Sequence, residues 1–382
     1  MNIPHTQGQH MNIQNNLWLL PIEPIAERYT KEWYDYMPSL FEGQGFNVQV
    51  IDGCETSGQI KTGSFLDANE TVAYKASQLQ SVARLFADKK VLSGDVFFVY
   101  DIEFWGIEVL RVLARMNKVS VRLVGFLHAC SYTKGDAMEQ MSDFQVHTER
   151  GWFEAFDLIL VGSDYQKERL VFERGVEPNK IAVTGNPMFA QAYPLAEHCD
   201  LDKPREKILL ISNRFDKEKR PDESLSWALV ASHLYGYKVI VCTSRKDLNS
   251  NSKDVQDMAE QLEQQGLIEI RRGLTKRQYH GLLTQARIVL TNSEEESFGY
   301  CIHEAQMHGA IVIAKPYACH PQFVNSKLLA NSVAEFTSIL EMVDQASVLR
   351  DLAQLENVAV RIRQTITHNA LPKAVLKQNA TR

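Results

Sequence analysis

Short apolar runs alternate with amphipathic stretches along this chain, and the alternation begins afresh halfway. In the first half the runs fall at residues 17–20, 48–51, 96–100, 121–127 and 158–161. Each is rich in β-branched or aromatic residues and is followed by polar or turn-forming ones, the pattern of a strand buried on both faces. Residues 72–87 and 165–174 read as helices between such strands. The chain breaks at residues 193–205, where Pro194, Pro204 and mixed charges predict a linker. Strands are then expected at 207–211, 238–242, 267–270, 287–290 and 310–313, with helices at 221–234, 255–264, 275–285 and 300–308. Strand–helix alternation of this kind specifies a doubly wound, parallel α/β domain, here formed twice.

Length agrees, because 382 residues exceed one ordinary core and suit two. The expected division is a disordered leader at 1–15, a first Rossmann-like domain at 16–195 and a second at 205–345. A C-terminal helical segment at 346–382, ending at Pro372, is expected to cross back to the first domain. Two such domains side by side leave a cleft between the carboxyl ends of their strands, where ligands of open α/β sheets bind.

Composition narrows the class. Hydrophobic residues make up 45% and charged residues 23%, which is ordinary for a globular protein. No run of roughly 18 apolar residues exists, and the leader has no apolar core of a secretory signal, so neither membrane insertion nor export is expected. The six cysteines are scattered without a Cys-x-x-Cys pair. Their pattern fits a reducing, cytoplasmic setting rather than a disulfide framework or zinc ribbon. Net charge is −6, which gives no general reason to expect nucleic acid. Locally, Arg361, Arg363, Lys373, Lys377 and Arg382 form a basic stretch, equally consistent with a solvated helix end and with a phosphate-contacting surface.

The most informative segment runs from Thr291 to Ala305, through Ser293, Glu296, Ser297, Phe298, Gly299, Tyr300 and Glu304. It leaves an apolar strand, turns through Ser and Gly, and enters a helix. Ser297 is expected to be the N-cap, leaving the following amides to receive an anion at the positive end of the helix dipole. Glu304 should project toward the same cleft, and carboxylates suit sugar hydroxyls because they accept hydrogen bonds in a fixed plane. A second segment, Ser212 to Pro221, follows the first strand of the second half and carries Arg214 and Lys219. Two cations there would neutralise a diphosphate leaving group.

These segments resemble the signature of family-4 glycosyltransferases, which have the GT-B fold of two facing Rossmann-like domains. In that pattern Ser293, Glu296, Phe298, Gly299, Glu304, Ala305 and Gly309 fall in register, and Arg214 and Lys219 match the family's Arg–Lys spacing. The resemblance implies that Glu296 contacts the donor sugar and Glu304 the nucleotide ribose. It further implies that the amides of Phe298, Gly299 and Tyr300 hold the diphosphate with Arg214 and Lys219. His128, at the tip of the fourth strand, matches a histidine that contacts the donor sugar near its anomeric centre. The implied reaction is transfer with retention from a nucleoside-diphosphate sugar, UDP-sugar favoured, without a metal or other cofactor.

The acceptor side is less defined. The opening loop, Pro21 to Pro24, lacks the paired glycines of many family members. Glu23, Arg28, Asp101 and Glu103 are candidates there. The stretch from Trp18 to Pro24, with Arg28-Tyr29-Thr30 and Trp33, looks like phage-encoded glycosyltransferases of modified DNA, implying a hydroxymethylpyrimidine acceptor in double-stranded DNA. The basic tail, with Arg271, Arg272, Lys276 and Arg277, would supply the phosphate contacts. A glycan, lipid or small-molecule acceptor is the alternative, and a non-catalytic nucleotide-sugar or DNA-binding protein on the same fold is another. Asp200-Leu201-Asp202 imitates a metal-binding Asp-x-Asp but lies in the linker, so it is expected to be surface.

Overall fold

The computed structural model describes residues 15–377 apart from 27, 43, 58–66 and 137. The expected leader, save Asn15, and Arg382 of the basic tail lie outside the described residues.

The first half forms a parallel sheet of six strands in the order β2-β1-β3-β4-β5-β6. The strands are β1 Asn16–Leu20, β2 Asn47–Val50, β3 Val96–Val99, β4 Arg122–Phe126, β5 Leu158–Val161 and β6 Ile181–Val183. Between them run α1 Tyr29–Phe41, α2 Ala68–Ala87, α3 Val109–Met116, α4 Ser142–Ala155 and α5 Asp164–Arg174. Successive side chains of a strand point to opposite faces, and the sheet uses both. Leu17, Leu19, Val96 and Phe98 pack on one side with Trp33 and Phe41 of α1. Trp18, Leu20, Phe97 and Val99 pack on the other with Val82 and Phe86 of α2. Strand β6 has only three residues, too few to show a periodicity, and escapes a reading by pattern.

The second half repeats the architecture as five parallel strands in the order β11-β10-β7-β8-β9. The strands are β7 Glu206–Ile211, β8 Lys238–Cys242, β9 Glu269–Arg271, β10 Ala286–Thr291 and β11 Ile311–Ala314. The helices are α6 Pro194–Glu197, α7 Pro221–Tyr235, α8 Lys253–Gln264, α9 Lys276–Gln285, α10 Tyr300–Met307, α11 His320–Phe323, α12 Val333–Val343 and α13 Ala346–Leu376.

In each sheet the strand order reverses once, between β1 and β3 in the first and between β7 and β10 in the second. Loops leaving neighbouring strands diverge at such a point and open a crevice. The loops after β7 and β10 are the segments carrying Arg214, Lys219 and Glu296, so topology alone brings them together.

The linker 193–205 is anchored at both ends while Asp200 and residues 202–204 are exposed: Tyr193 is fully buried in the second core, and the Arg205 guanidinium donates to the carbonyls of Leu283 and Ala286 at 2.9 Å each. One expectation changes. Helix α13 does not stop at Pro372 but continues to Leu376. An interior proline forfeits one hydrogen bond, but Leu371 and Val375 beside it are fully buried under the first sheet. Arg122 of β4 also donates to the carbonyls of Ala374 and Val375 at 2.9 and 2.5 Å. The other end of α13 packs Leu352, Ala353 and Val360 into the second core, so this helix straps the two halves together.

Candidate functional site

Between the two sheets lies a cavity of about 530 Å³. From the second half it is lined by Arg214, Lys219, Glu296, Ser297, Phe298, Gly299, Tyr300 and Glu304, and from the first by Arg28, Asp101, Glu103 and His128. Glu23 is not among its lining residues. That side chain is 3% exposed, turned into the protein, so it is withdrawn as an acceptor-side candidate.

The entry to α10 differs from the expected one. Its N-cap is Gly299, with φ +76°, and no side chain caps the helix. The left-handed backbone explains glycine there, and a Cβ would approach Ile302 Cδ1 to 2.9 Å. Ser297 instead offers its carbonyl to the hydroxyl of Ser163 at 2.5 Å, a bond between the two halves. The amides of Phe298, Gly299, Tyr300 and Cys301 find no acceptor among the described residues. Unpaired amides at a helix start attract an anion.

Fixed charges surround that opening. Lys219 Nζ donates to Glu296 Oε2 at 2.9 Å and to the Glu295 carbonyl at 2.6 Å. Burial raises the pKa of the Glu296 carboxyl, but Lys219, His320 and Arg214 outweigh it and hold the group below its usual range. Arg214 is held by Asp216 at 3.1 Å and Glu218 at 3.0 Å, leaving its side chain 35% exposed. Glu304 behaves oppositely. Burial lifts its carboxyl above the usual range despite Lys276, Tyr279 and Tyr193. The Tyr193 hydroxyl stands 3.2 Å from Glu32 Oε1 and 3.5 Å from Glu304 Oε1, and Lys276 pairs with Glu32.

His128 lines the cavity with both ring nitrogens engaged. Nε2 lies 2.8 Å from the Tyr100 carbonyl, which can only accept, so Nε2 carries the proton. Burial lowers the pKa of His128, and the neutral ring then accepts at Nδ1 from the Tyr29 hydroxyl, 3.1 Å away. The expected contact from His128 to a donor sugar requires one of these bonds to exchange.

The two halves touch at several points around the cavity. Tyr29 stacks on Tyr300 with centroids 4.6 Å apart. Arg169 and Tyr165 of α5 reach Glu295 at 3.2 and 3.0 Å. Gly135, with φ +71°, lies so close to Glu218 that a Cβ would come within 2.3 Å of its carboxyl carbon. Lys75, Trp105 and Asp136 also line the cavity, and pattern reading missed them. They stand on a helix face and in loops with no motif spacing, so no signal in the chain could have marked them.

The basic groups expected at a phosphate-contacting surface are largely paired within the protein. Arg271 binds Glu269 at 2.5 Å, Arg272 binds Glu263 at 2.6 Å, and Lys276 binds Glu32. Arg361 donates to Asn357 and to the Ala196 carbonyl, and Arg363 to Gln306. Asp200 and Asp202 are exposed, as expected of a surface turn. Among the described residues no helix is long and apolar enough to cross a membrane.

Residues 198–346 match the family model "Glycosyl transferases group 1". A Klebsiella pneumoniae protein described as an uncharacterized 41.2 kDa protein in the cps region is 24% identical over 249 residues. That match covers 63% of this chain and 66% of the relative, just under two thirds of its length. Among solved structures, a Thermosynechococcus elongatus sucrose-phosphate synthase superposes with a TM-score of 0.67 at 14% identity, covering 93% of this chain and 97% of that one. The lipopolysaccharide outer core galactosyltransferase WaaB gives 0.63 at 14%, covering 94% and 99%. The Anabaena protein HepE, solved with UDP and glucose, gives 0.60 at 13%, covering 95% and 100%. Residues 198–346 are therefore similar to group 1 glycosyl transferases, and the chain as a whole has the two-domain GT-B fold of the glycosyltransferases it superposes on.

Proposed function

We propose that the cleft transfers a sugar from a nucleoside-diphosphate donor, UDP-sugar first, to a hydroxyl acceptor. One observation carries the reading. Arg214, Lys219 and the unpaired amides of Phe298 to Cys301 face one cavity together with Glu296 and Glu304. Positive charge at one end and hydroxyl-binding carboxylates beside it match a diphosphate joined to a sugar and a ribose. Glu296 takes the donor sugar and Glu304 the ribose, while Arg214, Lys219 and the amides take the diphosphate.

The bond between the anomeric carbon and the diphosphate oxygen breaks, and its electron pair leaves with the phosphate. Arg214, Lys219 and the α10 dipole stabilise that growing charge, so no metal is required. The acceptor oxygen bonds the anomeric carbon on the same face, and its proton passes to the departing phosphate oxygen, giving retention. Fixed geometry supplies much of the rate. His128, released from Tyr29 or Tyr100, contacts the sugar near its reacting carbon. A hydroxymethylpyrimidine in DNA is the second candidate acceptor; of the arginines that would meet its phosphates, Arg271, Arg272 and Arg361 are bound to protein groups, while Arg277 is exposed.

Nucleotide release from UDP-glucose, UDP-galactose and UDP-N-acetylglucosamine, with nuclear magnetic resonance of the product anomer, tests this. Transfer that persists with EDTA and is lost in Arg214→Ala and Glu296→Ala is expected. Wild-type turnover in either variant would refute the site, and binding of UDP without turnover on any acceptor would favour a non-catalytic binder.

A further inference from the structure

Residues 294–296 are consecutive glutamates, and the fold gives each a different cation. Glu294 pairs with Arg220 at 2.6 Å and Glu296 with Lys219 at 2.9 Å, both within the second domain. Glu295 turns instead to the first domain. The Arg169 guanidinium and the Tyr165 hydroxyl of α5 donate to its two carboxylate oxygens at 3.2 and 3.0 Å. With the Glu295 side chain 9% exposed, water screens this pair little.

The donors of this contact are themselves fixed. Arg169 also donates to the Tyr165 hydroxyl at 2.8 Å and to the Tyr132 carbonyl at 3.1 Å, with its guanidinium over the Tyr132 ring. The start of the same helix grips the loop again further on: Ser163, the N-cap of α5, donates to the Ser297 carbonyl. At Gly162, just before it, a Cβ would come within 3.0 Å of Phe298 Cβ, so the backbone itself abuts the loop. The first domain therefore holds this loop on either side of Glu296.

The loop in turn holds Lys219. An ammonium group carries three N–H donors. The Glu295 carbonyl and the Glu296 carboxylate take two of them, at 2.6 and 2.9 Å. Those two acceptors fix the direction of the third, and Lys219 lines the cavity. From the second domain the loop is held by the Ser293 hydroxyl on the Glu295 carbonyl at 2.9 Å and by the Glu294 amide on the Glu218 carbonyl. Among the described residues the Glu295 carboxylate is bonded from the first domain alone.

We propose that Arg169 and Tyr165, which do not line the cavity, are positioning residues of the donor site: by holding Glu295 they set the Lys219 ammonium against the leaving diphosphate. This rests on the donor reading above and deepens it. Lys219 stabilises charge that grows as the glycosidic bond breaks, so displacing its ammonium acts more on kcat than on donor binding. A misplacement of about 1 Å costs on the order of a hundredfold.

The test measures UDP release from the UDP-sugar that the wild-type protein uses, together with calorimetry of UDP binding. Arg169→Ala should lower kcat roughly ten- to a hundredfold, while the donor KM and the UDP Kd stay within about threefold. Arg169→Lys keeps a point charge without the fork and should recover part of that loss. Tyr165→Phe removes one hydroxyl and should lower kcat by a few-fold, which carries the same test should Arg169→Ala not fold. Arg169→Ala with Glu295→Gln should be no slower than Arg169→Ala, since both changes break one contact. Glu173→Gln, which removes the other carboxylate beside Arg169 at 3.4 Å, should leave kcat within about twofold. Wild-type kcat in Arg169→Ala overturns the proposal, as do additive losses in the double variant or a fall in UDP affinity equal to the fall in kcat. A wild-type protein that releases UDP from no UDP-sugar overturns the donor reading and this proposal with it, whereas turnover undiminished in the variants overturns this proposal alone.

Discussion

Tyr29, the first residue of α1, stacks on Tyr300, the first residue of α10, with ring planes 12° apart. The two belong to different halves of the protein, and the Tyr29 hydroxyl also holds His128. One side chain therefore joins the halves and fixes the histidine of the cleft. Tyr29→Phe keeps the stack and loses the hydrogen bond, an expected cost of about 0.5–1.5 kcal/mol. Tyr29→Ala loses both, and because the ring is only half-buried its cost should fall below the about 3–5 kcal/mol of a fully buried aromatic. Urea unfolding of the two variants checks the difference, and equal losses would show that the stack contributes nothing.

Glu296 and Glu304 should give opposite pH signatures. The folded-state pKa of Glu296 is depressed, so its contribution is present above the ordinary Glu range, about 4.3, and is lost as pH falls through the folded value. That of Glu304 is raised, so stability is lost as pH rises from the ordinary value through the folded one. Unfolding midpoints measured from pH 3 to 7 should therefore show Glu296→Gln losing most, relative to wild type, at neutral pH. Glu304→Gln should gain on wild type over the same rise. Parallel curves for the two variants would contradict these assignments.

Lys276 and Glu32 pair across the halves with side chains 25% and 6% exposed. Removing one partner leaves the other charge shielded, an expected cost toward the lower end of about 3–5 kcal/mol. Glu32→Gln with Lys276→Met should together cost less than the sum of the single changes. A double-mutant cycle by calorimetric unfolding measures the coupling, and additivity would mean the pair is not formed.

The strap formed by α13 predicts that Leu371→Ala, at a fully buried position under the first sheet, costs about 2–5 kcal/mol. Ile362→Ala, on the exposed side of the same helix with 54% of its surface accessible, should stay within about 0.5 kcal/mol. Thermal unfolding of both distinguishes a docked helix from a loose one.

Gly135→Ala should push the halves apart, because the added carbon meets Glu218 at 2.3 Å and the backbone is left-handed. UDP affinity should fall, and limited proteolysis of the interdomain segment should quicken. Unchanged affinity would show that this contact does not set the width of the cleft.

The amino-acid sequence by itself determined the strands and the class of fold, because parallel strands buried on both faces must be apolar runs, as residues 96–99 and 311–314 are. It also marked Arg214, Lys219, Glu296 and Glu304, whose spacing along the chain is a local property. The tertiary structure decided the rest. Strand order placed the loops after β7 and β10 side by side, and only a left-handed Gly299 shows that the cap of α10 is not Ser297. It turned Glu23 inward, carried α13 past Pro372, and brought Glu103 and Asp136 to the cavity. Each of these depends on contacts between residues far apart in the chain, which periodicity and spacing cannot encode.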